Sequence, residues 1–254
     1  MRNIHHNIVT NVSDILLDID GVLLDQSFDN LFWGELVPLE LSTVQNISIE
    51  NAKNEIYNTA EKVKGTMPWY ELKFWENKYN LDLVNVALNN SAEIAFLPRA
   101  EETLKILADL DKRIILMTNC DRRLLNVKAS VVPFMKYVDG CVSCVEIGAV
   151  KESQDFWGPA FEIFNIDTEK SLFADDNINV VNSAIQAGIF NSFQVLEPTS
   201  DGSLINKPNY SILQSSLKID DLIDPRMTTV STILKHVHKG TIETAYSILN
   251  GEYE

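Results

Sequence analysis

Four short segments of this 254-residue sequence place carboxylate, hydroxyl or ammonium groups at or just beyond the ends of apolar runs. The residues concerned are Asp18 and Asp20, Thr118 and Asn119, Lys151, and Asp175 and Asp176. Carboxylate oxygens are the hard ligands that Mg²⁺ prefers, while a hydroxyl and a lysine can bind phosphate oxygens. A carboxylate nucleophile, a divalent metal, a lysine and a second carboxylate suffice for phosphoryl transfer through an aspartyl-phosphate. These side chains therefore indicate phosphate chemistry, provided that the fold brings them together.

The spacing within the first segment, ILLDIDGVLLD, supports this interpretation. Residues i and i+2 of an extended chain project to the same side, so Asp18 and Asp20 can face one pocket. Gly21 permits a tight turn directly after them. Each segment taken alone also has an ordinary explanation as a strand-end turn, a helix N-cap, an exposed lysine or an acidic loop. Their order along the chain, after successive predicted strands, favours one shared site.

The elements that must position these residues alternate between strands and helices. Short apolar runs predict strands over 15–18, 114–118, 138–143, 172–175 and 193–196. Helical patterns lie between them, over 100–110, 154–164 and 180–188. Alternating elements with nearly continuous apolar strands predict an α/β fold in which helices cover both faces of a parallel sheet. Ligands of such sheets bind beyond the carboxyl ends of the strands, which is where the candidate residues lie.

Residues 28–92 break this alternation, because they carry helical patterns and show no clear strand. We interpret them as a helical cap inserted into an α/β core formed by residues 1–27 and 93–225. Residues 226–254 are predicted to form a helical tail, to which we assign no role. The cap is rich in Phe, Trp and Tyr. These either pack the cap's own small core or line a pocket and stack on a purine base, and the sequence leaves both readings open.

Composition restricts the classes of partner. The chain is 45% hydrophobic and 22% charged, as in an ordinary globular protein, and has no apolar run long enough to span a membrane. Its formal charge of −15 argues against a nucleic-acid polymer as partner but permits a small anionic substrate. The N-terminus lacks the uninterrupted apolar stretch of a signal peptide, and three cysteines argue against a disulfide scaffold. We therefore expect a cytoplasmic protein without a membrane partner.

Four motifs, DIDGV, LMTN, Lys151 and FADD, resemble those of the haloacid dehalogenase (HAD) superfamily and occur in the same order. The resemblance covers nearly the whole chain apart from the tail. It implies a Rossmann-like parallel sheet with helices on both faces, and the length between the first two motifs suits an α-helical cap of the C1 type. The segments LLDIDGVLLDQSFDNLFWGELVP, WYELKFW and VKESQDFW are more narrowly similar to the bacterial GMP/IMP nucleotidase branch.

The resemblance also implies a role for each residue that would touch the substrate. Asp18 matches the nucleophile that attacks phosphorus. Asp20 matches the general acid that protonates the leaving oxygen and then the base that activates water. Thr118 matches the phosphate-binding hydroxyl, aided by the backbone N–H of Asn119, and Lys151 matches the cation that steadies Asp18 and the developing charge.

The cofactor implied by the resemblance is Mg²⁺. Asp176 matches the usual metal ligand, alongside the Asp18 carboxylate and the Asp20 carbonyl. Asp175 is expected to support these ligands from behind rather than to bind the ion itself. One departure bears on this loop: Val180 stands where an asparagine is frequent, which leaves the carboxylates intact but removes a usual support.

The second aspartate favours a phosphatase over a dehalogenase, because an alcohol leaving group needs the proton that Asp20 can supply and dehalogenases lack this residue. The expected activity is Mg²⁺-dependent hydrolysis of nucleoside 5′-monophosphates, with the purine nucleotides GMP and IMP as substrates. A phosphosugar phosphatase, a phosphomutase and a non-catalytic binding protein on the same fold remain open alternatives. A further departure is Glu152, which stands directly after the lysine where proline is frequent.

Overall fold

The computed structural model describes residues 12–201 and the backbone of residues 215–216. The predicted helical tail over 226–254 lies outside the described residues, as does most of the predicted core segment beyond residue 201. Within the described part, no helix combines the length and apolar character that crossing a membrane requires.

A parallel sheet forms the centre of the molecule. Its strands are β1 (Asp14–Leu17), β2 (Arg113–Thr118), β3 (Gly140–Ser143), β4 (Ser171–Asp175), β5 (Asn191–Val195) and the short β6 (Ser215–Ser216). They lie in the order β3-β2-β1-β4-β5-β6, and every neighbouring pair is parallel. The predicted α/β fold is therefore confirmed, with β1 between β2 and β4 at the centre of the sheet.

Six α-helices lie between β1 and the predicted start of the second core segment. They are α1 (Ser27–Leu31), α2 (Val37–Gln45), α3 (Ile49–Val63), α4 (Met67–Tyr70), α5 (Leu72–Tyr79) and α6 (Leu83–Asn89). A π-helical turn, Phe32–Leu36, joins the first two, and the N–H of Val37 donates to the carbonyl of Phe32, five residues back. Pro38 cannot donate a hydrogen bond to Gly34, so the regular α-helical pattern is interrupted at this point. Residues 28–92 form helices and contain no strand of the sheet, in agreement with the predicted helical cap. The boundaries of the cap at residues 28 and 92 stay a prediction.

The remaining helices cover both faces of the sheet. They are α7 (Ala100–Asp109), α8 (Arg122–Val131), α9 (Cys144–Ile147), α10 (Gln154–Phe164) and α11 (Ile178–Gln186). Successive residues of a strand point to opposite faces. Ile15 and Leu17 accordingly pack in one apolar cluster with α7 and α8, while Leu16 packs in a second cluster with α10 and α11. Burial on both faces explains the continuous apolar run that precedes the first aspartate.

Candidate active site

Asp18 lies directly beyond the carboxyl end of β1, where its backbone N–H donates to the Ala174 carbonyl at 2.9 Å. The chain then turns sharply, and Gly21 has a φ angle of +80°. A Cβ atom at Gly21 would lie 2.9 Å from Pro198 Cβ and 3.0 Å from Asp176 Cγ. Both the backbone angle and the close approach favour glycine. The turn therefore brings the DIDGV segment against the second aspartate of FADD.

Lys151 is a buried cation at the centre of the candidate site. Its Nζ lies 2.7 Å from Asp18 Oδ1 and 2.6 Å from Asp175 Oδ2, and it donates to the Met117 carbonyl at 2.9 Å. Burial lowers the pKa of this lysine, but Asp175 and Asp18 outweigh that effect and raise the pKa above its usual value. The side chain is therefore a permanent positive charge beside the predicted nucleophile.

Three carboxylates converge at the same edge of the sheet. One oxygen each from Asp18, Asp175 and Asp176 lies within 4.8 Å of the others. Burial raises the pKa of all three groups, and the charge of Asp18 adds to the effect at Asp176, whose pKa reaches about 7. Lys151 alone does not balance this negative charge. A set of hard oxygen donors with excess negative charge fits a divalent cation such as Mg²⁺.

The two aspartates of FADD have different surroundings. Asp175 is buried, and its oxygens bind Lys151 Nζ and the backbone N–H of Asn177. The Asp176 carboxylate accepts a hydrogen bond from Gln26 Nε2 at 2.8 Å and is only partly buried. The ligand position predicted for Asp176 and the supporting position predicted for Asp175 stay predictions. The predicted ligation by the Asp20 carbonyl stays a prediction.

Thr118 and Asn119 end β2 beside this cluster. The Thr118 hydroxyl accepts the backbone N–H of Cys120 at 3.0 Å and lines the cavity. The Asn119 side chain accepts the backbone N–H of Lys151 at 2.9 Å and donates to Glu152 at 2.9 Å. Besides the backbone role predicted for it, Asn119 thus fixes the start of the segment that carries the lysine.

Glu152 is a site residue that sequence reasoning noted only as a departure. Its Oε1 accepts hydrogen bonds from the Tyr70 hydroxyl at 2.8 Å and from Asn177 Nδ2 at 3.2 Å, and its Oε2 accepts the one from Asn119. It therefore connects α4 to three loops at the edge of the sheet, where α4 belongs to the run of helices from α1 to α6 that we call the helical segment. A negative charge in the position where proline is frequent was the available signal.

Lys128, like Gln26 beside Asp176, has a contact at the site that the sequence did not predict. Its Nζ lies 2.7 Å from Asp20 Oδ1, so the second aspartate of DIDGV has a lysine of its own. The signal lay in the helical spacing: Lys128 follows Leu124 by four positions and Leu125 by three, which puts it on the apolar face of α8. A lysine on a buried face requires a carboxylate partner.

A cavity of about 670 Å³ opens above these groups. The sheet edge provides its polar floor, with Asp18, Asp20, Thr118, Lys151 and Asp176. The helical segment provides much of its wall, including Trp33, Gly34, Tyr57, Trp69, Tyr70 and Trp75. Phe28, Phe32 and Trp75 are buried in the segment's own packing. Some aromatic residues therefore line the cavity and others pack the segment, while stacking on a purine base stays a prediction.

Comparisons with known proteins point to one family. The sequence model of the haloacid dehalogenase-like hydrolases matches residues 15–188. Over 203 residues the chain is 32% identical to the GMP/IMP nucleotidase YrfG of Escherichia coli, an alignment that covers 77% of this chain and 89% of that protein. The same figures hold for the GMP/IMP nucleotidase YrfG of Shigella flexneri.

Solved structures share the fold. A HAD phosphatase from Thermococcus onnurineus superimposes with a TM-score of 0.70 at 17% identity, covering 83% of this chain and 95% of that one. The L-2-haloacid dehalogenase of Xanthobacter autotrophicus superimposes with a TM-score of 0.53 at 14% identity, covering 85% and 98%. The match of the family model over most of the described chain, together with the YrfG relatives, establishes that this chain belongs to the haloacid dehalogenase-like hydrolases.

Proposed function

We propose that this hydrolase is a Mg²⁺-dependent phosphatase that acts on nucleoside 5′-monophosphates, with GMP and IMP as its purine substrates. The observation that carries the proposal is the pairing of Asp18 with the buried Lys151 on the floor of a cavity whose wall is aromatic. The identity to proteins named GMP/IMP nucleotidase supports the choice of substrate. The free thiols of Cys120, Cys141 and Cys144 suit a reducing compartment, so we also propose a cytoplasmic location.

In the proposed reaction Asp18 attacks the phosphorus atom, and the bond from phosphorus to the nucleoside oxygen breaks while Asp20 gives that oxygen a proton. Asp20 then takes a proton from water, which attacks the aspartyl-phosphate and releases inorganic phosphate and free Asp18. Lys151 balances charge at Asp18 throughout, and the Thr118 hydroxyl binds a phosphate oxygen. Asp18 and Asp176, with the Asp20 carbonyl, would hold Mg²⁺, which supplies further positive charge to the phosphate.

The cavity supports a substrate larger than a simple phosphate ester. Its polar floor suits the phosphate group, and the wall includes Trp33 and Trp69, side chains of the kind on which nucleic-acid bases stack. Stacking of a base on an aromatic side chain contributes about 1–3 kcal/mol and depends little on which base it is. Aromatic side chains in the wall therefore support a nucleotide of any base as the substrate. The proposal of a purine nucleotide rests on the similarity to proteins named GMP/IMP nucleotidase.

The test is phosphate release from a panel of GMP, IMP, AMP, hexose phosphates and ribose 5-phosphate, with and without Mg²⁺. We expect hydrolysis of the purine nucleotides, its loss when a chelator removes the metal, and its loss in Asp18→Asn. Asp109→Asn, an exposed change at the end of α7, is the matched control and should keep full activity.

A preference for hexose phosphates would replace the nucleotidase with a sugar phosphatase, and conversion of one sugar phosphate into its isomer would indicate a mutase. Binding of nucleotide without any phosphate release would indicate a non-catalytic protein. Retained turnover in a folded Asp18→Asn variant would refute the nucleophile assignment.

A further inference from the structure

Lys128 is a charged side chain on the inner face of α8, and the side chain is only 1% exposed. Its Nζ lies 2.7 Å from Asp20 Oδ1, and 2.8 and 2.7 Å from the two carboxylate oxygens of Asp29. A lysine ammonium has three N–H donors, so these three contacts account for all of them. The same nitrogen lies over the ring of Phe28, 5.7 Å from its centroid.

The two carboxylates that bind Lys128 belong to different parts of the chain. Asp20 lies in the turn after β1, and Asp29 lies in α1, the first helix of the helical segment. Both line the cavity, with side chains 18% and 20% exposed. Lys128 therefore joins α8, α1 and the turn that carries Asp20.

A purely structural role for Lys128, as an ion pair between α8 and α1, would explain its contact with Asp29 but not its contact with Asp20. Asp29 already offers two oxygens to the ammonium, which is the pairing that a buried cation requires. The third bond goes instead to Asp20, the group that exchanges the proton in the proposed reaction. A proton donor must lie within hydrogen-bond reach of the leaving oxygen, and a misplacement of about 1 Å can cost 10²-fold in rate. Holding Oδ1 of Asp20 limits the rotation of its carboxylate.

We propose that Lys128 is a positioning residue for Asp20, which its ammonium holds in the orientation that protonates the leaving oxygen. Through Asp29, Lys128 also ties that orientation to the helical segment that forms the cavity wall. This inference rests on the proposed phosphatase function and deepens it. Lys128 is not among the described residues that line the cavity, so it acts through Asp20 rather than on the substrate.

The test compares two leaving groups in Lys128→Met, which removes the charge and keeps an unbranched side chain. GMP releases an alkoxide that needs protonation, whereas p-nitrophenyl phosphate releases a phenolate that leaves with little help. The constant kcat/KM is compared because it includes the step in which the leaving group departs. We expect kcat/KM to fall by about 10²-fold for GMP and by less than about 10-fold for p-nitrophenyl phosphate.

Two further variants make the comparison decisive. Lys105→Met removes a lysine from the exposed surface of α7 and should leave both constants unchanged. The double variant Lys128→Met/Asp29→Asn removes one anion together with the cation, so it keeps the net charge of the cluster if Lys128→Met alone fails to fold. We expect the same selective loss on GMP in this variant.

Equal losses on both substrates in a folded variant, or no loss on GMP, would overturn the positioning role. Failure of both variants to fold would also overturn it, because Lys128 would then be a structural residue. If the wild-type protein hydrolyses neither substrate, the proposed function itself is wrong and the inference falls with it. Melting temperatures of all variants separate these outcomes.

Discussion

Replacing Gly21 by alanine tests whether the turn after β1 is fitted to the metal loop. The φ angle of +80° costs an alanine about 1–2 kcal/mol. The new Cβ would lie 2.9 Å from Pro198 and 3.0 Å from the Asp176 carboxylate, which adds about 1–3 kcal/mol of crowding. We therefore expect Gly21→Ala to lower the free energy of unfolding by about 2–5 kcal/mol, a loss that a typical domain survives.

The same substitution should weaken Mg²⁺ binding, because Pro198 blocks one side and the Asp176 carboxylate must move. Disturbing the support of a metal ligand costs about 10–100-fold in affinity. Mg²⁺ at one hundred times its wild-type Kd should stabilise the wild-type protein by about 2.7 kcal/mol. At that concentration Gly21→Ala should gain only about 0.4–1.4 kcal/mol. Urea denaturation with and without Mg²⁺ measures both quantities.

Gly188→Ala is the matched control for this measurement. Gly188 also has a positive φ, +102°, but its Cβ would meet Thr168 Oγ1 at 3.3 Å rather than a site residue. This variant should lose at least about 1 kcal/mol of stability and keep the full Mg²⁺ gain. An equally full gain in Gly21→Ala would show that the turn after β1 is not fitted to the metal loop. No gain in the wild-type protein would refute the metal site altogether.

Three further predictions concern Tyr70, Asp176 and Trp69. Tyr70→Phe should lower the free energy of unfolding by about 1.5–3 kcal/mol, because its hydroxyl donates to the Glu152 carboxylate. Tyr137→Phe, which removes a bond to the partly exposed Glu101 carboxylate, should cost less than about 1 kcal/mol, and urea denaturation compares the two variants. Burial and the charge of Asp18 raise the pKa of Asp176 from 3.8 to about 7. Without metal, the folded state therefore binds a proton at Asp176 more tightly than the unfolded state does. The folded state loses stability as the pH rises from about 4 to about 7. Asp176→Asn should therefore melt higher than wild type at about pH 8 without metal, with a smaller difference at about pH 5; an equal difference at both would contradict the shift. Trp69→Ala should raise KM for GMP by about 5–150-fold, as expected for loss of a stacking contact, and leave KM for ribose 5-phosphate unchanged.

The sheet could be predicted from the sequence because its signals are local. Each predicted strand occurs, with its ends moved by a few residues. The strand predicted to begin at 138 begins at Gly140, because the Asp139 side chain accepts the Ile114 N–H that a strand partner would otherwise take. The π-helical turn at Phe32–Leu36 was not predicted, although Pro38, which cannot donate to the Gly34 carbonyl, was a local signal for an interrupted helix.

The convergence of Asp18 and Asp175 was also predictable, because β1 and β4 are neighbouring parallel strands whose carboxyl ends lie at one edge of the sheet. Lys151 reaches the same edge from the loop after α9. No comparable rule predicts which residues meet when two segments are far apart in the sequence. Tyr70 and Glu152 are 82 positions apart, and Lys128 and Asp20 are 108 apart. The residues around Tyr70 and Lys128 do not indicate that Glu152 and Asp20 are their partners. These two contacts depend on how the helical segment packs against the sheet.

The two aspartates of DIDGV illustrate how neighbouring groups of one type become chemically distinct. Asp18 pairs with Lys151, whose other carboxylate partner is Asp175 in the buried sheet edge. Asp20 pairs with Lys128, whose other partner belongs to α1 of the helical segment. The proposed nucleophile is therefore held by the rigid sheet, and the proposed proton donor is held between the sheet and the cavity wall. A substrate that displaces α1 would thus act on the proton donor and leave the nucleophile in place.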